Sequence, residues 1–125
     1  MGQLIKPFFL QVKKALRSSP LALLHMIIFN ITIKISPEIQ QYWLEWMKEV
    51  HIPEIMATGL FHDYRICRLL EQDDQDGPTY TIQYFSDTLE NYQTYIQEHA
   101  ASFNQKAFGQ FGDRFVAFRT VMQVV

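Results

Sequence analysis

A chain of 125 residues with 48% hydrophobic and 14% aromatic side chains has material for one packed core and not for two, which excludes a multidomain arrangement and a disordered chain alike. The formal charge of −2 is unevenly divided: Lys6, Lys13, Lys14 and Arg17 make residues 1–25 net +4, and the seven basic and thirteen acidic residues that follow make the remainder −6. An acidic body argues against a nucleic-acid partner, and a single cysteine, Cys67, excludes an intrachain disulfide and a thiolate metal site and suits a reducing, cytoplasmic setting.

Residues 1–25 read as a basic N-terminal extension rather than as part of the fold. Ile5, Phe8, Phe9, Val12 and Leu16 recur at helical spacing with the four cations off that stripe, and Ser18-Ser19-Pro20 breaks the pattern. Charges and proline interrupt the apolar run that a secretory signal needs, and no span of roughly 20 apolar residues exists for a membrane helix. The extension reads as a membrane-surface or partner-binding helix, as a transit segment, or as residues upstream of a natural start at Met26 and absent from the native protein.

From Met26 the periodicities change. Residues Met26 to Ile35 place Ile27, Phe29, Ile31, Ile33 and Ile35 on one face of a strand, with Asn30, Thr32 and Lys34 on the other. Ser36-Pro37 opens a helix to about Val50, with Ile39, Trp43, Trp46 and Val50 inward; Pro53 is expected to force a turn, and a short second helix then closes at Gly59. A second strand is expected from about Leu60 to Glu71, an exposed acidic connection from Gln72 to Pro78, and a third strand from Thr79 to Ser86 with Tyr80, Ile82 and Tyr84 on one side. Asp87-Thr88-Leu89-Glu90 reads as a capping box for a helix with Leu89, Tyr92, Ile96, Ala100, Phe103 and Ala107 on its inner face, ending near Gly109. Phe115 to Val125 completes the set as a fourth strand.

The order β-α-β-β-α-β in about 100 residues predicts an α+β, ferredoxin-like domain over residues 26–125, a four-stranded antiparallel sheet with both helices on one face and strands one and three central. The other face is then open, Met26 and Ile28 included, and predicts a homodimer that covers it. Residues 26–125 carry Met26-Ile27-Ile28-Phe29-Asn30, Trp43-Leu44-Glu45-Trp46-Met47, His51-Ile52-Pro53-Glu54, Tyr84-Phe85-Ser86-Asp87, Glu98-His99-Ala100 and the run from Phe111 to Thr120. With these the chain resembles a bacterial family of domains of unknown function, number 4286, and more distantly the dimeric α+β barrel superfamily, whose members include small monooxygenases, haem-degrading enzymes and lactone isomerases. The resemblance implies the fold and a dimer and leaves the reaction open.

Several residues could carry chemistry. His51 falls at a helix end, with Glu54 three residues on, so the two can form an acid–base pair, or His51 simply caps the helix. His99 lies on or beside the buried stripe of the second long helix, as a hydrogen-bonded core residue or, by analogy with haem-binding members of the superfamily, a haem contact; no other haem signature accompanies it. Arg119 shares a strand row with Phe115 and Ala117 and can clamp a carboxylate or pair across a dimer. Trp43, Trp46 and Tyr84 read as core residues or as walls of a pocket between helices and sheet, and Cys67 as a buried, inert thiol. No metal-ligand spacing occurs, and no cofactor is expected. Two function classes result: a small-molecule binder or cofactor-independent monooxygenase- or isomerase-like enzyme, with an enclosed pocket on which at least two of His51, Glu54, His99 and Arg119 converge, or a non-catalytic dimeric module in which each is satisfied locally. Neither class calls for a membrane partner for residues 26–125.

Overall fold

Alternation of branched and aromatic residues with polar ones builds the sheet. The computed structural model describes residues 25–125, so the expectations for the basic extension lie, His25 apart, outside the described residues. Strand β1 spans Ile27–Ile35, β2 Asp63–Arg68, β3 Thr79–Ser86 and β4 Phe115–Gln123. They lie antiparallel in the order β2-β3-β1-β4, the topology predicted from the element order. In register, Ile31 stands between Ile82 of β3 and Arg119 of β4, so Ile82, Ile31 and Arg119 point to the same side.

One face of this sheet is covered. Phe29, Ile33 and Ile35 of β1 and Tyr80, Ile82 and Tyr84 of β3 form a single core with helical residues that include Trp43, Trp46, Met47, Ile52, Ile55, Tyr95 and Phe103. Full burial of each large apolar side chain contributes about 1.5–3 kcal/mol against its exposure. Phe29 sits centrally, its ring within 6.0 Å of Phe61, Tyr84, Tyr92 and Tyr95. The hairpin between β2 and β3 returns through Gly77 at φ 116, where a Cβ would overlap the Ile35 carbonyl oxygen; only glycine fits there.

The segment after β1 departs from expectation at Pro53. A 3-10 turn, Pro37–Ile39, leads into helix α1, Gln40–Trp46; a π-helical turn, Met47–His51, then joins it without interruption to α2, Ile52–Met56. The predicted turn does not form: Ile52 keeps helical angles, φ −61 and ψ −46, and its N–H donates to the Met47 carbonyl five residues back. The wider turn accommodates a proline that has no N–H to give and whose ring clashes with the carbonyl four residues before it. It also changes the inward stripe. Val50, expected inside, is 42% exposed, and Met47 and His51 are buried in its place.

Smaller expectations are corrected as well. Thr88, not Asp87, caps the next helix, its hydroxyl accepting the Asn91 N–H at 3.1 Å, while the Asp87 carboxylate lies 3.3 Å from His62 Nδ1. The helix is two, α3 at Leu89–Glu98 and α4 at Ala100–Phe111; it runs past Gly109 to stop at Gly112, φ 60, with Tyr95 buried and Leu89 exposed. Of the predicted stripe, Tyr92, Ile96, Ala100, Phe103 and Ala107 pack in or against the core on both sides of the break at His99, and Leu89, at the first helical position, is the exception. Met26, expected on the open face, is buried, whereas Ile28 is half-buried. Strand β2 is shorter than predicted, and Cys67 is exposed rather than buried: β2 is an edge strand, and the residues paired with Phe85, Gln83 and Thr81 face away from the helices.

Candidate functional site

Small side chains leave a gap between the helix layer and the β1–β4 half of the sheet. Ala100 and Ala107 of α4 face Ala117 of β4, and the space they do not fill is a cavity of about 380 Å³, walled by Phe29, Tyr95, Ile96 and Phe115 among others. That volume lies at the small end of the range for ligand sites, about 300–1,000 Å³. A deeper recess of about 60 Å³ shares His51, Ile31, Asn104, Ala107, Phe115 and Ala117 with the cavity and adds Trp43, Met47 and Tyr84.

Two residues that line the recess each carry a buried polar atom without a partner. His51 Nδ1 and the Tyr84 hydroxyl accept and donate no hydrogen bond among the described residues, although the two side chains are 7% and 0% exposed. An unmet buried group of this kind costs about 1–3 kcal/mol, and two in one recess call for an explanation. The π-helical turn delivers His51 to this place, and packing holds it: its ring stacks on Trp46 at 4.4 Å and meets Phe103 edge-on at 5.8 Å. Tyr84 arrives by strand alternation from β3, wedged against Phe29 and Phe61.

Both groups are neutral at pH 7. Burial pushes the His51 pKa down to about 4; the Glu54 carboxylate opposes that shift in part, and the Lys106 ammonium adds to it. Burial holds the Tyr84 phenol protonated far above the usual tyrosine range, with Tyr95 and Tyr64 adding to the effect. The recess therefore offers neutral hydrogen-bonding groups and no cation.

The residues expected at a site divide by position. Trp43, His51 and Tyr84 line the recess, and Arg119 lines the outer cavity that His51 also borders. Trp46 stands behind the His51 ring. Glu54 does not turn toward His51 but pairs with Lys106 at 3.1 Å, because α2 continues the helix and carries Glu54 to the surface. His99 sits at the α3–α4 break, half-buried, stacked on Tyr95 at 6.1 Å, and lines neither space. Asn104 was not anticipated. Its spacing of four from Ala100 and three from Ala107 puts a polar residue on the apolar stripe, which is the signal that could have found it. Among the described residues, no three His, Cys, Asp or Glu side chains are grouped to hold a metal ion, and no helix is long and apolar enough to cross a membrane.

Solved structures share this architecture at low identity. An EthD family protein from Bacillus halodurans matches with a TM-score of 0.58 at 14% identity, over 79% of this chain and 99% of its own. A dimeric ferredoxin-like protein from an uncultured marine organism matches with a TM-score of 0.61 at 12% identity, over 80% and 94%. The cofactor-independent oxygenase SnoaB of Streptomyces nogalater, solved as a variant, matches with a TM-score of 0.56 at 7% identity, over 80% and 93%. Likeness at this level shows the ferredoxin-like α+β fold. No protein with a curated description matches the sequence. A family does match, over residues 26–125 and so across the whole sheet, its helices and the cavity between them: the chain belongs to the family described as Domain of unknown function (DUF4286).

Proposed function

We propose that this protein binds a small, mainly apolar molecule bearing a neutral hydrogen-bonding group, in the cavity between its helices and sheet. The observation that carries the reading is the pair of orphaned polar atoms, His51 Nδ1 and the Tyr84 hydroxyl, on residues that line the recess of a mainly apolar cavity. A ligand hydroxyl could donate to His51 Nδ1 and accept from the Tyr84 O–H, meeting both needs at once. A module without a ligand would gain stability by losing these groups.

Residues 26–125 act as the functional domain in this reading, with residues 1–25 outside it, in the reducing cytoplasm that the unpaired, exposed Cys67 suits. The working form is a homodimer. On the open sheet face Phe85, Ile28 and Met122 stand side by side across β3, β1 and β4, and Phe118 and Val116 of β4 are exposed beside them, an apolar area that a second copy would cover. Sedimentation equilibrium returning a single-chain mass at micromolar concentration would remove the dimer from the reading. The fold it shares with a cofactor-independent oxygenase supports an enzymatic version, in which bound substrate reacts in this cavity.

The experiment is calorimetric titration with naphthol, an apolar body with one hydroxyl, beside thermal unfolding. Tyr84→Phe is expected to weaken naphthol binding by about fivefold to tenfold while raising the stability of the free protein by about 1 kcal/mol. No heat of binding to the wild type, or a Tyr84→Phe variant that binds as well as wild type, overturns the reading.

A further inference from the structure

Arg119 is the one charged residue on the cavity wall, and nothing described neutralises it. Alternation along β4 puts it on the same side as Phe115 and Ala117, opposite Ile31, so the strand turns it to the cavity side. No ion pair to Arg119 exists among the described residues; Glu54 and Lys106, the charges that act on His51, are already committed to each other. Arg119 is therefore an exposed residue on the sheet wall of a mainly apolar cavity, with Asn104 on the helix wall that faces it.

The inner end has the opposite character. Its 60 Å³ is the share of about two water molecules, room for a hydroxyl or carbonyl but not for a ring, and an ionised group there would find no cation. Ligand polarity is thus ordered along the cavity: a neutral polar tip inside, an apolar body between the rings of Phe29, Tyr95 and Phe115, and a charge outside.

We infer that the ligand is an organic anion of this layout, a hydroxy- or oxo-substituted cyclic carboxylate, whose carboxylate is held by Arg119 at the cavity mouth while its neutral oxygen reaches His51 and Tyr84. The inference rests on the binding role proposed above. The planar fork of arginine matches a carboxylate through two parallel N–H···O bonds, which lysine cannot reproduce.

Two probes separate the inference from its foundation: 2-naphthol, which has the apolar body and hydroxyl, and 6-hydroxy-2-naphthoate, which adds the carboxylate across the ring. Calorimetric titration of the full chain is expected to show the hydroxynaphthoate binding at least about tenfold tighter than naphthol, the worth of a hydrogen-bonded charge at a partly wet site. Arg119→Gln should erase that preference, Arg119→Lys should restore only part of it, and naphthol affinity should stay within about twofold in both. Thermal unfolding unchanged from wild type in these variants establishes that an exposed side chain was altered without loss of fold. Equal affinity for the two probes, or a preference that survives Arg119→Gln, overturns the carboxylate assignment and leaves the cavity as a binding site. Absence of binding by either probe removes both.

Discussion

Strand β1 has two neighbours, and the molecule treats them differently. Its hydrogen-bond ladders to β3 and to β4 both run nearly its whole length, so the backbone pairing is equivalent on the two sides. On β3 every second residue, Tyr80, Ile82, Tyr84 and Ser86, is buried beneath the helices. On β4 every residue from Val116 onward is exposed, including those on the helix side. What differs is the packing: Trp43, Met47, Ile52 and Ile55 join one core with residues of β1 and β3, whereas alanines on α4 line the cavity beside β4. Pairing orders a strand, but burial requires side chains long enough to reach it, and where they fall short the fold keeps a cavity instead of a core.

That contrast can be broken from either side. The largest effect is expected at Ile82, fully buried in the centre of β3: Ile82→Ala removes packed volume that its neighbours cannot refill and should lower unfolding free energy by about 4 kcal/mol in chemical denaturation. A loss under about 1 kcal/mol would mean that the β3 half is no better packed than the β4 half.

The next effect lies on the boundary between the halves, at His51. Its pKa near 4 is below the 6.5 of an unfolded histidine, so between those values the unfolded chain takes up a proton that the folded one refuses. The stabilisation is therefore complete above about pH 6.5 and is lost as the pH falls toward 4. Between pH 7 and pH 5 the wild type should lose about 2 kcal/mol more than His51→Phe, read as the difference between two stability profiles. Glu54 and Lys106, the charges nearest in effect, are present in both proteins and drop out of that difference. Parallel profiles would show that water reaches His51 freely.

The smallest effect is expected at Val121, on the helix-facing row of β4 yet exposed. Val121→Ala should change stability by no more than about 0.5 kcal/mol, and a larger loss would show that β4 carries core packing after all.

Much of this fold was legible along the chain. The strict alternation from Ile27 to Ile35 and from Thr79 to Ser86 located the two central strands, because a half-covered sheet imposes a period of two on apolar residues. Spacing failed where a helix was irregular. Val50 fits an ideal stripe and is exposed, since the π-helical turn at Met47–His51 changes the phase that a 3.6-residue repeat assumes; Leu89 is exposed at the first position of its helix, whereas Tyr92 and Ile96 of the same stripe pack on the core. The same failure concealed the site: with a turn at Pro53, His51 and Glu54 looked like partners, whereas continuous helix sends one to the recess and the other to Lys106.

Sequence alone determined the strands, their order and the existence of one apolar face, since these follow from local periodicity and from the few ways that a short α+β chain can close. It also singled out Trp43, His51, Tyr84 and Arg119 as residues able to do chemistry. Only the tertiary structure decided that His51 and Tyr84, 33 positions apart, line one recess, each with a buried polar atom that has no partner among the described residues, and that Arg119 lines the cavity that shares His51 with it. Periodicity reports which face a residue occupies. Whether that face is filled depends on the volumes of side chains brought together from α4, β1 and β4, and no local pattern encodes that sum.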